Sequence, residues 1–222
     1  VESGLISEDR LAHSVKKILS AKYKAGLHQF EPIKTTNLVA DLNRQKDDVL
    51  YQQLMENAIT LVQNNNQILP LKNLELHKIA YVTMGNADAT PFIKTLNKYS
   101  KVDPVSADNL DELISDLSQY NTVIVGLHTS NANPWKSYQF TDKELVWLYE
   151  IARTNTVILN VFSKPYALND LKSIANFESI LMAYQNSPIA QQTAAQIIFG
   201  ALPAKGKLPV SCGSNFKAGD GI

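Results

Sequence analysis

Cysteine is almost missing from these 222 residues: Cys212 stands alone, so neither an internal disulfide nor a cysteine-based zinc site can form within the chain. No apolar run approaches the roughly 18 residues that a membrane-spanning helix needs. Excess charge of one sign is missing too. Lys+Arg number 21 and Asp+Glu 21, which argues against a basic face for nucleic acid and against a polybasic membrane anchor. Among the nine glycines neither G-x-G-x-x-G nor G-x-x-x-x-G-K-[ST] occurs, so nothing supports a phosphate-cradling loop, and no cofactor is expected. His13, His28, His77 and His128 lie far apart with no H-x-x-x-H pair. They read as surface histidines, and no metal is expected.

What remains is a globular composition, 45% hydrophobic and 19% charged, in 24.6 kDa, enough for one domain or a domain and a half. Val1-Glu2-Ser3-Gly4-Leu5 and the final Phe216-Lys217-Ala218-Gly219-Asp220-Gly221-Ile222 read as the interior of something longer, so the expectation is an excised piece. A first helix begins at an N-cap Ser7, carries Leu11, Val15, Ile18 and Leu19 as one stripe, and stops at Gly26. Its apolar face has little nearby sequence to pack on. Residues 28–45 read as a linker. A second helix is expected over Lys46 to Gln63, with Leu50, Leu54, Ala58 and Leu61 at helical spacing.

Beyond it, strands and helices alternate. Strands are expected at Ile79–Thr83, weakly at Lys101–Val105 (Pro104 suits only an edge), at Thr122–Leu127, Thr156–Phe162 and Ser179–Tyr184. Helices fall between them, one opened by the capping box Thr141-Asp142-Lys143-Glu144 and the last by Ser187-Pro188 and closed by Gly200. The alternation implies βαβ units: an α/β, flavodoxin-like three-layer sandwich with a mostly parallel sheet of about five or six strands over residues 46–222, preceded by a separate helix within 1–27.

Ligands of such sheets bind beyond the carboxyl ends of the strands. The longest loop there, Gly126 to Thr141, holds His128, Asn131, Asn133, Trp135, Lys136 and Tyr138, aromatic and amide groups suited to stacking on a sugar ring and bonding its hydroxyls. The competing account is that Trp135 and Tyr138 pack over the sheet edge. The loop contains no Asp or Glu, and the capping box explains Glu144. Ser163 follows a strand but G-x-S-x-G is absent, and Cys212 with His128 can be imagined as a pair although a lone cysteine is more often inert, so no catalytic residue is assigned.

Three stretches together resemble glycoside hydrolase family 3: Gly4 to Leu27, like the helix that closes the family's barrel; Ala58 to Asn64 with Ile68-Leu69-Pro70-Leu71, like the entry to its second domain; and Phe199 to Ser211, like the exit from it. The resemblance implies residues 1–27 as the terminal helix of an absent (β/α)8 barrel, which would carry the nucleophilic Asp and be the chief partner. A following serine-hydrolase-like domain is a further partner it suggests. In the family's β-glucosidases a sandwich-loop Glu is the acid/base; the corresponding stretch here, Gly126 to Thr141, has none. That absence resembles the β-N-acetylglucosaminidase branch, which uses a barrel His instead. The implied role is an accessory domain, inactive alone, of a periplasmic or secreted enzyme, with at most weak saccharide contact through His128, Asn131, Asn133, Trp135 and Tyr138. A carbohydrate-binding module using this loop is the alternative, and an independent α/β hydrolase ranks last.

Overall fold

Ser7 accepts a hydrogen bond from Arg10 N, Glu8 and Asp9 occupy the first turn, and Lys22 and Lys24 the last, so α1 (Glu8–Lys24) is capped and polarised along its dipole. Gly26 follows in the left-handed region at φ 77°. The computed structural model describes residues 4–133, 135 and 137–222, in two units, Val1–Arg44 and Gln45–Ile222. Val1, Glu2, Ser3 and Lys136, read above from the sequence, lie outside the described residues. In the first unit no residue of α1 is buried, and Leu11, Val15, Ile18 and Leu19 remain exposed. Residues 28–45 are not wholly irregular: a short helix, α2 (Leu38–Leu42), follows Asn37, whose left-handed φ of 62° turns the chain into it.

The second unit opens with α3 (Gln45–Ala58), which ends earlier than its apolar spacing predicts. Ile59-Thr60-Leu61-Val62 is β-rich, and Thr60–Asn64 forms β1 instead of a last helical turn. The strand is held from far along the chain, with Thr60 opposite Met182 and Leu61 opposite Leu181. Leu50 and Leu54 are left exposed, while Met55 is buried.

Then follow β2 (Ile79–Gly85), α4 (Thr90–Leu96), β3 (Val102–Pro104), α5 (Leu110–Leu117), β4 (Thr122–His128), α6 (Asp142–Thr154), β5 (Thr156–Phe162), β6 (Phe177–Met182) and α7 (Pro188–Ile198). The six strands lie in the order β1-β6-β5-β4-β2-β3, parallel except for β1 against β6. Every residue of β4 is buried, as a central strand covered on both faces requires. Val82, Val125 and Leu159 pack with Leu113 of α5 and Leu148 of α6. Tyr81, Ile124 and Ile158 pack with Phe92 of α4 and Ala194 of α7 on the opposite face. Pro104 closes the short edge strand β3, where its missing N–H disturbs no neighbour. The free side of β1 is covered by the tail: Gly206 N donates to Ile59 O at 3.1 Å and Ile222 N to Leu61 O at 3.0 Å.

Candidate functional site

The carboxyl ends of β2, β4 and β6 converge on one histidine. Gly85 sits at φ 90°, where a Cβ would lie 2.1 Å from the carbonyl oxygen of His128. Only glycine permits that approach. The same carbonyl accepts from Asn86 N at 2.9 Å and Ala87 N at 3.2 Å.

His128 itself is 0% exposed, which corrects its reading as a surface residue and as a sugar contact. Its ring stacks on Phe162 at 4.5 Å, Nε2 lies 2.6 Å from the Tyr81 hydroxyl, and Nδ1 lies 2.7 Å from Asn186 Oδ1. An amide oxygen can only accept, so Nδ1 carries the proton, Nε2 accepts, and the Tyr81 O–H donates to it. Burial drives the imidazole pKa down to about 4, against the smaller upward pulls of Asn186 and the Asp88 charge. Burial also raises the Tyr81 phenol, which keeps its proton available for donation.

Asn186 joins the loops. Its Oδ1 also accepts from Gln191 Nε2 at 2.9 Å, its Nδ2 donates to Asp88 O at 2.9 Å, and its backbone N donates to Asn131 Oδ1 at 2.8 Å. Gln191, buried at the start of α7, donates to Asp88 O and accepts from Phe92 N. Above this network lies a polar cleft of about 330 Å³ lined by Asp88, Ser130, Asn131, Gln185, Asn186 and Ser187, among others. Tyr81, Asp88, Asn186 and Gln191 were not selected from sequence; the only signal was the position of two of them, Asp88 and Asn186, just past strand ends.

The other loop residues divide. Asn131 and Asn133 are exposed, with Asn133 Oδ1 accepting from Trp135 N at 2.8 Å. Trp135 is 91% exposed and packs over no sheet edge. Tyr138 is half-buried, with Lys164 Nζ 5.4 Å from its ring centre. Ser163 is buried; its hydroxyl donates to Tyr138 O and accepts from Thr129 Oγ1, both at 2.7 Å, so it is a loop strut and no nucleophile. Cys212 Sγ donates to Pro165 O, and burial raises its pKa. No hydrogen bond links it to His128, whose two nitrogens are engaged.

Three carboxylates around the loop are tied down. Glu144 Oε1 accepts from Gly85 N at 2.6 Å, and Oε2 accepts from Thr141 N and Oγ1 at 2.7 and 2.8 Å. Asp170 accepts from Phe140 N and Gln139 Nε2, each at 3.2 Å. Asp88 is held below the usual carboxylate range, chiefly by hydrogen bonds from Thr90. Among the described residues no group of three His, Cys, Asp or Glu could hold a metal ion, and no helix is long and apolar enough to cross a membrane.

A doubly wound sheet whose carboxyl-end loops meet at a polar cleft defines an α/β sandwich of the flavodoxin-like kind. The family model described as the glycosyl hydrolase family 3 C-terminal domain matches residues 59–218, and the chain belongs to that family. It is 26% identical to the "Probable beta-glucosidase C" of Aspergillus flavus over 98% of this chain and 33% of that protein. It is 22% identical to a "Beta-xylosidase" of Formosa agariphila over 89% of this chain and 32% of that one. The chain thus spans about a third of the curated relatives it matches. Among solved structures, a "Beta-glucoside phosphorylase BglX" aligns with TM-score 0.73 and 20% identity, covering 95% of this chain and 40% of its own. A family 3 β-N-acetylglucosaminidase from a Paenibacillus species aligns at 0.67 and 19%, covering 96% and 41%. Both likenesses speak to the fold.

Proposed function

We propose that these residues are the accessory, non-catalytic domain of a retaining glycoside hydrolase whose nucleophile and proton carrier lie on a barrel domain outside this chain. We assign its substrate as a terminal β-linked N-acetylhexosamine. The observation that carries this reading is the state of three carboxylates, Asp88 at the cleft and Glu144 and Asp170 beside the β4–α6 loop. Retention needs a group about 5–5.5 Å from the nucleophile that donates a proton and later takes one back. The loop from β4 to α6 has no Asp or Glu. Glu144 and Asp170 hold backbone N–H groups, and Asp88, with its lowered pKa, has no proton to give at neutral pH. The domain's share is then to wall one side of the sugar site through Asn131, Asn133, Trp135 and Tyr138. A periplasmic or secreted location belongs to the same reading.

The test compares the isolated 222 residues with the full-length polypeptide on aryl β-N-acetylglucosaminide, β-glucoside and β-xyloside. The expected result is no turnover by the isolated chain and at least a tenfold preference of the full-length protein for the N-acetylated sugar. Faster cleavage of the glucoside or xyloside, the sugars in the names of the curated relatives, overturns the sugar assignment and leaves the accessory role. Turnover by the isolated chain overturns both. The exposure of Trp135 favours a second reading, a saccharide-binding module. It requires saturable heat on titration with N-acetylglucosamine, abolished in Trp135→Ala.

A further inference from the structure

Asn131 is the sugar-contact candidate that hydrogen-bonds to the network around the buried His128. Its Oδ1 is fixed by Asn186 N at 2.8 Å, and among the described residues its Nδ2 has no partner. An amide with one end clamped presents two N–H donors in a set direction, here at the rim of the polar cleft. Hydroxyl and acetamido-carbonyl oxygens of a sugar are acceptors of the matching kind.

Asn186 is itself held by three side-chain hydrogen bonds. Its carboxamide oxygen takes His128 Nδ1–H and Gln191 Nε2–H, and its Nδ2 is anchored on Asp88 O. The chain reaches it through a tight turn in which Tyr184 adopts a left-handed φ of 64° and Gln185 N donates to Ala183 O at 2.7 Å. That conformation is costly for an aromatic residue and persists only where surrounding contacts enforce it. Here the Tyr184 hydroxyl lies 2.6 Å from Thr60 Oγ1, and Gln185 Nε2 donates to Tyr51 OH at 2.8 Å. A strained turn delivering an amide held by three hydrogen bonds to a strand end is what preorganisation of a binding group requires.

We propose that Asn186, locked by His128, is a positioning residue that aims Asn131 at the sugar bound in the cleft. The proposal rests on the functional reading above. It is tested in the full-length protein with the aryl glycoside that the wild type cleaves, by a cycle of Asn131→Ala, Asn186→Ala and the double variant. Asn131→Ala is expected to raise KM about tenfold with kcat little changed, and Asn186→Ala severalfold. The double variant should be no worse than Asn131→Ala alone, because Asn186 acts through Asn131. Multiplying effects, or an unchanged KM in either single variant, overturn the proposal while leaving the functional reading intact. A full-length protein that cleaves no glycoside removes both.

Should Asn186→Ala fail to fold, His128→Ala and His128→Asn replace it. The Asn amide can still donate to Asn186 Oδ1, so it should recover most of the KM lost in His128→Ala. Equal KM values in the two variants overturn the proposal.

Discussion

Gly126 lacks a side chain because none fits: a Cβ there would lie 2.5 Å from His128 Nε2 and 2.8 Å from the Tyr81 hydroxyl. The imidazole is therefore enclosed on its Nε2 side by β4's own backbone, and no water is needed to complete its bonding. A neutral, enclosed histidine makes stability depend on pH in a definite direction. The unfolded chain binds a proton on it below about 6.5, whereas the folded chain resists until about 4. Between those values the unfolded state holds more protons, so stability falls as pH falls; the contribution is complete above 6.5 and fully lost below 4. The interval corresponds to at most about 3 kcal/mol. Urea unfolding at pH 7.5 and 4.5 should register a loss of that order, and His128→Gln should remove most of the pH-dependent part. A wild-type stability that does not change between the two pH values would contradict the enclosed neutral ring.

At the scale of elements, α6 depends on Thr141 and Glu144 together. The capping box ties the helix start to itself, and the second oxygen of Glu144 reaches Gly85 N at the end of β2. Thr141→Ala should cost about 1 kcal/mol, read as a fall of about 3 °C in melting temperature for a chain of this length. An unchanged melting temperature would show the cap to be redundant. Local devices of this kind were legible from sequence: the capping box, the Ser187-Pro188 start of α7, the edge position announced by Pro104, and the buried run of β4. The boundary between α3 and β1 was not. Leu54, Ala58 and Leu61 continue a helical spacing, and what ends the helix is pairing with β6 more than a hundred residues later. His128 was misread for the same reason. Tyr81, Phe92, Phe162 and Asn186, which enclose it, come from four separate segments. The absence of Asp and Glu from the β4–α6 loop needed no fold to be read, but the engagement of Glu144, Asp170 and Asp88 did.

At the scale of the whole molecule, the sheet has one antiparallel flank, and the tail lies along it. Leu208 N donates to Asp220 O at 2.7 Å, Gly219 N to Leu208 O at 2.8 Å, and Lys207 Nζ to Gly221 O at 2.6 Å, so the last residues form a clasp that ends on Leu61. Deleting residues 219–222 should free that clasp and bring concentration-dependent light scattering together with a lower melting temperature. A truncated chain that stays monodisperse at high concentration would show the flank to be harmless when bare. Rows of unsatisfied peptide groups are where one copy stitches onto the next. By laying residues 206–222 along β1, the polypeptide covers with its own backbone the side on which a second copy would otherwise pair.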